Sequence, residues 1–170
     1  MYIRSAVVAD APEIARIHIS AWQVGYKGIM PNDFLNSLCV EERSKQWHMA
    51  LSKKSPGINL VGGRDESIEG FCVYGPSRDN DMAGKDVGEL VALNIDPDCW
   101  GYGLGTSFVK HVISDSKKRN WNSLTLWVIE QNHMARKLYE AQGFTLEGSE
   151  KIDSKLTGHN IHEFRYILYL

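Results

Sequence analysis

The sequence predicts an α/β fold, a mixed β-sheet covered by helices. Two observations carry this. Strand-like and helix-period segments follow one another as β, α, α, β, β, β, α, β, α, β, β, which gives about seven strands and about four helices. The apolar segment ending at Ile95 also runs through Asp96-Pro97 into Gly101, Gly103 and Gly105, after which a helical pattern begins. Strand, glycine turn and helix start form the connection from which α/β folds build anion sites.

Taken in order, Tyr2 to Val8 reads as a strand, and Asp10 with Glu13 three residues on resembles a capping box opening a helix. Ile14, Ile17, His18, Ala21 and Trp22 share one face of that helix, so His18 reads as a packed core histidine. Gly25 to Pro31 breaks the helix. A second helical region runs from Asn32 to Ser52, with apolar patches at Phe34, Leu35 and Leu38 and at Val40, Trp47 and Leu51. Ile58 to Val61 and Ile68 to Tyr74 are strands joined through a hairpin-like connection. Gly75 to Lys85, rich in Asp, Asn and Gly, is expected to be an exposed loop, with Asp79, Asp81 and Asp86 either solvated or attracting a cationic amine.

Val87 to Ile95 is the strand feeding the glycine turn. Beyond it, Leu104, Phe108, Val112 and Ile113 form a helix face, and Lys117 to Arg119 sit where the helix dipole favours cations. Leu124, Leu126 and Val128 alternate as a strand. Asn132 opens a helix that Gly143 closes. Thr145 to Ser149 and Glu163 to Leu170 are the last strands. The aromatics of the final one, Phe164, Tyr166 and Tyr169, serve either the core or the sheet of a homodimer.

The bulk numbers narrow the function classes. A chain of 170 residues is expected to form a single domain over 1–170. Net charge is −2 with pI about 6.3, which gives no basic footprint for nucleic acid. No apolar run approaches the ~20 residues of a membrane span. Cys39, Cys72 and Cys99 are odd in number and lack metal-ligand spacing, so reduced thiols in a cytoplasmic protein and no metal site are expected.

The glycine turn decides the chemistry only in part. It lacks the lysine of a Walker A loop, and Gly101, Gly103 and Gly105 are spaced G-x-G-x-G where a dinucleotide fingerprint needs G-x-G-x-x-G. Backbone N–H groups from Gly101 to Thr106 suit a pyrophosphate; a glycine-rich connection without a ligand is the alternative. Leu93-x-Ile95-x-Pro97 followed by Gly101-x-Gly103-Leu104-Gly105 resembles the acetyl-CoA signature of the GNAT superfamily of N-acetyltransferases. Residues 126–144, LWVIEQNHMARKLYEAQGF, and the opening IRSAVVADAPEIARIH are similar to that family as well, so the resemblance covers nearly the whole chain. It departs at Trp100, where family members carry Gln or Arg at the first position of the turn.

The resemblance implies a central twisted mixed sheet and one N-acetyltransferase domain. It implies acetyl transfer from acetyl-CoA to a primary amine of a small molecule or protein. Cofactor contacts would come from Leu93, Asn94, Ile95, Trp100, Gly101, Tyr102, Gly103, Leu104, Gly105 and Thr106. Asn132 would cap its helix and bond the pantetheine arm, and the N–H near Ile95 would serve the developing oxyanion. Tyr139, seven residues on from Asn132, would be the general acid, a core aromatic being its bland alternative. Glu89, six residues before Ile95, would be the base, against a strand-start carboxylate with no catalytic part. The position where other members carry a strand glutamate is Trp127 here, with Glu130 nearby. Trp22 and Tyr26 would flank the acceptor or else belong to the core. A non-catalytic acyl-CoA-binding domain of the same fold and a Rossmann-like nucleotide enzyme are the rivals.

Overall fold

A computed structural model describes residues 1–170. One seven-stranded sheet runs through it, with strands β1 (Tyr2–Ser5), β2 (Ile58–Gly63), β3 (Gly70–Pro76), β4 (Val87–Ile95), β5 (Ser123–Ile129), β6 (Thr145–Asp153) and β7 (Ile161–Tyr169). Their spatial order is β1-β2-β3-β4-β5-β7-β6. Every neighbouring pair is antiparallel except β4–β5, the one parallel join. The helices are α1 (Ala11–Gly25), α2 (Asn32–Ser37), α3 (Val40–Ser52), α4 (Leu104–Lys118) and α5 (His133–Ala141).

Side-chain alternation along the strands gives each face its own core. Leu60, Cys72, Tyr74 and Leu90 pack with Phe108 and Val112 of α4 and Tyr139 of α5. Val61 and Phe71 point the other way and pack with Ile14 and Ile17 of α1, with Trp47 of α3 against them. Strict alternation is what lets one sheet serve two layers. Gly88 has no room for a side chain, because a Cβ there would lie 2.1 Å from the Trp121 ring.

Several expectations need correction. The single helical region 32–52 is two helices, because Leu38 and Cys39 are extended. Its two apolar patches fall on different faces of any one straight helix, so the chain breaks to bury both. Asp10 does not cap α1. Its carboxylate accepts the Val7 N–H at 2.8 Å and pairs with Arg4 at 2.7 Å, which ends β1 early. The stretch Gly75 to Lys85 is no free loop, because Asp79 and Asp81 are bound by Arg165, itself only 3% exposed. In β7, Tyr166 is core while Tyr169 is 76% exposed, and β7 lies between β5 and β6, so it offers no free edge to a second copy.

Candidate active site

The site begins with a defect in the sheet. The β3–β4 register slips between Val73 and Tyr74, leaving Val91 as an extra residue in β4. A bulge bends its strand and sharpens the local twist. The parallel pairing of β4 with β5 stops at the same place, Leu90 opposite Leu126. From there β4 stays with β3, β5 stays with β7, and a gap opens between them.

The register shows what lines that gap. The Asp96 N–H bonds back to Glu69 at the end of β3. Successive residues of a strand turn their backbone groups to opposite sides. Asn94 and Ala92 therefore face β3, and Leu93 and Ile95 turn their N–H and C=O groups into the gap. One of these four groups is already taken: the Trp100 indole N–H donates to the Ile95 carbonyl at 2.8 Å. The Trp100 ring also packs against Gly25 at the end of α1. The residue that departs from the family pattern thus pins the turn to α1 and to β4.

The turn is held from below. Asp96 accepts the Asp98 N–H and pairs with Arg16 of α1 at 2.5 Å. Gly101 and Gly103 have φ of +82° and +85°, a region costly for other residues. The first helical bond of α4 runs from the Ser107 N–H to Gly103, so the N–H groups of Leu104, Gly105 and Thr106 have no partner within the helix. Together with the helix dipole they form an anion site.

Two cavities meet in the gap. The first, about 320 Å³, lies between the turn, the start of α4, α5 and the end of α1. The second, about 270 Å³, lies beneath α1 and is closed by β5 and the β6–β7 connection. Tyr26, Leu93, Asn94, Asn132, Ala135 and Tyr139 line both and form a neck. Asn132 caps α5 through the Ala135 N–H at 3.1 Å. Tyr139 follows two turns later on the same face, with its ring edge-on to Phe144 at 6.0 Å. Burial, then the neighbouring Tyr26 and Cys72, push the Tyr139 phenol well above its usual range, so it holds its proton.

Trp22 and Tyr26 line the second cavity, with ring centroids 5.5 Å apart. Of the residues expected at the cofactor, all except Tyr102 line the first cavity. Tyr102 points outward, 62% exposed, beneath the Arg64 guanidinium at 4.7 Å.

Glu89 is a correction. It is 2% exposed and lines neither cavity. Arg78 saturates it, with the backbone N–H at 2.9 Å and the guanidinium at 2.6 and 3.1 Å. Burial opposes its charge, but the Arg78 bonds outweigh burial and hold its pKa below the usual range. Its bonds to Arg78 anchor the segment after β3 to β4.

His18 does face the second cavity, contrary to the reading as core alone. Its Nδ1 lies 3.2 Å from the Trp47 indole nitrogen, which can only donate, so a neutral ring carries its proton on Nε2. Burial and then Arg43 push its pKa down to about 3, so the ring is neutral at physiological pH. Helical spacing placed His18 on a face with Trp22, but the Trp47 contact spans 29 residues and left no local signal.

The sequence pattern of the Acetyltransferase (GNAT) family matches residues 16–144. The chain belongs to the GNAT acetyltransferase family. An uncharacterised N-acetyltransferase of Bacillus subtilis, YuaI, is 31% identical over 130 residues, covering 76% of this chain and 72% of that protein. The crystal structure of the PaiA N-acetyltransferase from Thermoplasma acidophilum, in complex with coenzyme A, has a TM-score of 0.78 at 18% identity over 99% of this chain and 98% of that one. YncA from Salmonella typhimurium, solved with acetyl-CoA, has a TM-score of 0.72 at 17% identity over 100% and 94%. At such identity these two structures establish the fold. GNAT membership makes the protein an acyltransferase and sets aside the non-catalytic and dinucleotide-binding alternatives. No helix of this GNAT chain is long and apolar enough to cross a membrane.

Proposed function

We propose that the protein transfers an acetyl group from acetyl-CoA directly to a primary amine, with the thioester in the first cavity and the amine in the second. The neck carries this reading. It joins the two cavities, and backbone donors and a protonated phenol converge on it.

The residues fit the thioester. An amide-bearing arm pairs with a strand edge, and Leu93 and Ile95 leave three of their four backbone groups free in the gap. The α4 N-terminus takes the pyrophosphate, with Gly101 and Gly103 supplying the open approach. The bound thioester supplies an activated acyl carbon and a leaving thiolate. A single N–H of this edge, near Ile95, stabilises charge developing on its carbonyl oxygen, and the remaining free groups pair with the arm. The Tyr139 O–H gives its proton to the departing sulfur.

The acceptor needs a base, because an alkylammonium has a pKa near ~10 and only a small fraction is free amine at neutral pH. No carboxylate or imidazole lines the neck. Water in the second cavity therefore carries the proton out, in place of Glu89. Acetyl-CoA is an intracellular compound, and three unpaired cysteines suit the same cytoplasmic setting.

The test compares wild type with Tyr139→Phe by calorimetry with acetyl-CoA and by CoA release across a panel of amines. Both proteins are expected to bind acetyl-CoA equally, with kcat lower by about a hundredfold in the variant. Failure of wild type to bind acetyl-CoA overturns the assignment of the first cavity. Full turnover in Tyr139→Phe overturns the role of the phenol.

A further inference from the structure

The rim of the second cavity already holds an alkylammonium, supplied by the chain itself. Trp127 of β5, Asp153 of β6 and Glu163 of β7 line this end of the cavity. Lys151 stands directly across from Glu163 in the β6–β7 ladder. Its Nζ lies 3.2 Å from the Glu163 carboxylate and 4.3 Å from the centroid of the Trp127 ring. An aromatic face beside a carboxylate is the environment that recognises a primary ammonium.

The seat is built, while its occupant is loosely held. The Trp127 indole N–H donates to both carboxylate oxygens of Asp79, at 3.0 and 3.2 Å. Asp79 is in turn gripped by Arg165. The ring is therefore fixed independently of Lys151. Lys151 reaches it from β6, which forms the outer edge of the sheet, and its side chain is 44% exposed. Half-exposed ion pairs of this kind contribute little, so exchange for another ammonium costs little. Asp153 adds a second carboxylate to the same end, and its Oδ1 accepts only a backbone N–H, that of Lys155.

We propose that this seat receives the second ammonium of a diamine acceptor, with Lys151 occupying it until the substrate arrives. The inference rests on the acetyl-transfer reading of the neck and adds the substrate class. One end of the diamine reaches the neck as the free amine. The other end stays protonated on Trp127 between Glu163 and Asp153. The covalent step is unchanged: the N–C bond forms, the C–S bond breaks, and the amine proton leaves through water. The seat selects for charge at a distance from the reacting nitrogen, which a simple alkylamine lacks.

The experiment compares α,ω-diaminoalkanes, from diaminopropane to diaminooctane, with n-alkylamines of equal length, using wild type, Lys151→Met and Glu163→Gln. In wild type the best diamine should exceed its matched monoamine about tenfold in kcat/KM, an effect confined to a narrow range of lengths. Lys151→Met removes the competitor and should lower the KM for diamines several-fold with kcat unchanged and no comparable gain for monoamines. Glu163→Gln should raise the diamine KM. Equal use of diamines and monoamines, or a diamine KM that rises in Lys151→Met as loss of a merely structural contact would cause, overturns the proposal. Calorimetry with the diamine alone needs no turnover: tighter binding to Lys151→Met supports the seat, and no binding to either protein refutes it. Loss of acetyl-CoA binding or of all turnover would instead bear on the transfer reading, and the diamine calorimetry would still judge the seat.

Discussion

Replacing Glu89 by Gln separates an anchor from a base. The substitution keeps the shape of the side chain and one acceptor oxygen, and it removes the charge. In the native protein the carboxylate accepts three bonds from Arg78, between 2.6 and 3.1 Å. Hydrogen bonds to a charged group contribute ~1.5–3 kcal/mol against ~1 for neutral pairs. The Arg78 side chain is 64% exposed, and solvent screens its share. The net cost is about 2 kcal/mol, or about 4–8 °C in melting temperature for a chain of this size.

The effect has a pH signature. Glu89 is held below the ordinary carboxylate range, so its contribution is fully present above the unfolded value near ~4.3 and is lost as pH falls through the lowered folded value. The gap between wild type and variant should therefore close in acid. Thermal melts from neutral pH to acid pH check this, alongside kcat/KM against pH on the best amine. An anchor predicts a lower melting temperature and an unaltered pH–rate profile at temperatures where both proteins are folded. A fall in kcat of about a hundredfold or more with an unchanged melting temperature would restore Glu89 as base and refute the argument.

Arg165→Met should cost about 3 kcal/mol near neutral pH by urea denaturation, since a buried guanidinium holds Asp79, Asp81 and Glu147 together. Arg165 lowers Glu147 to about 2, so that loss should be complete above ~4.3 and should shrink as pH falls toward the folded value. Gly88→Ala should destabilise by ~1–3 kcal/mol in thermal melts, because the new methyl meets the Trp121 ring and Leu124. A neutral result there would mean that Trp121 swings aside freely.

Local chemistry made much of this molecule legible. The glycines at 101 and 103 announce positive φ, the Asn132 cap announces α5, and the seven-residue step from Asn132 to Tyr139 places both on one face. The gap itself was not legible. Val91 is an ordinary strand residue, and its bulge exists only in the register between β3 and β4. Glu89 shows the same limit. Its spacing from Ile95 fits a base, but its fate is set by Arg78, eleven residues earlier across a loop. Arg165 reads as one charge in a strand, yet it collects Asp79 and Asp81 from more than eighty residues away. Trp100 escaped too, because its carbonyl partner becomes free only once β4 parts from β5.

The parting of β4 from β5 leaves a passage with a cavity at each end. In the proposed reading the two ligands sit in separate cavities and do not queue, so neither has to leave before the other arrives. Cys99 lines the first cavity at the turn, but none of the six residues of the neck is a cysteine or serine that could carry an acyl group between visits. Under the proposed direct transfer, traffic through such a passage would be simultaneous, with both guests present at once, and a molecule joining the two in one covalent piece is expected to fill both cavities and leave slowly.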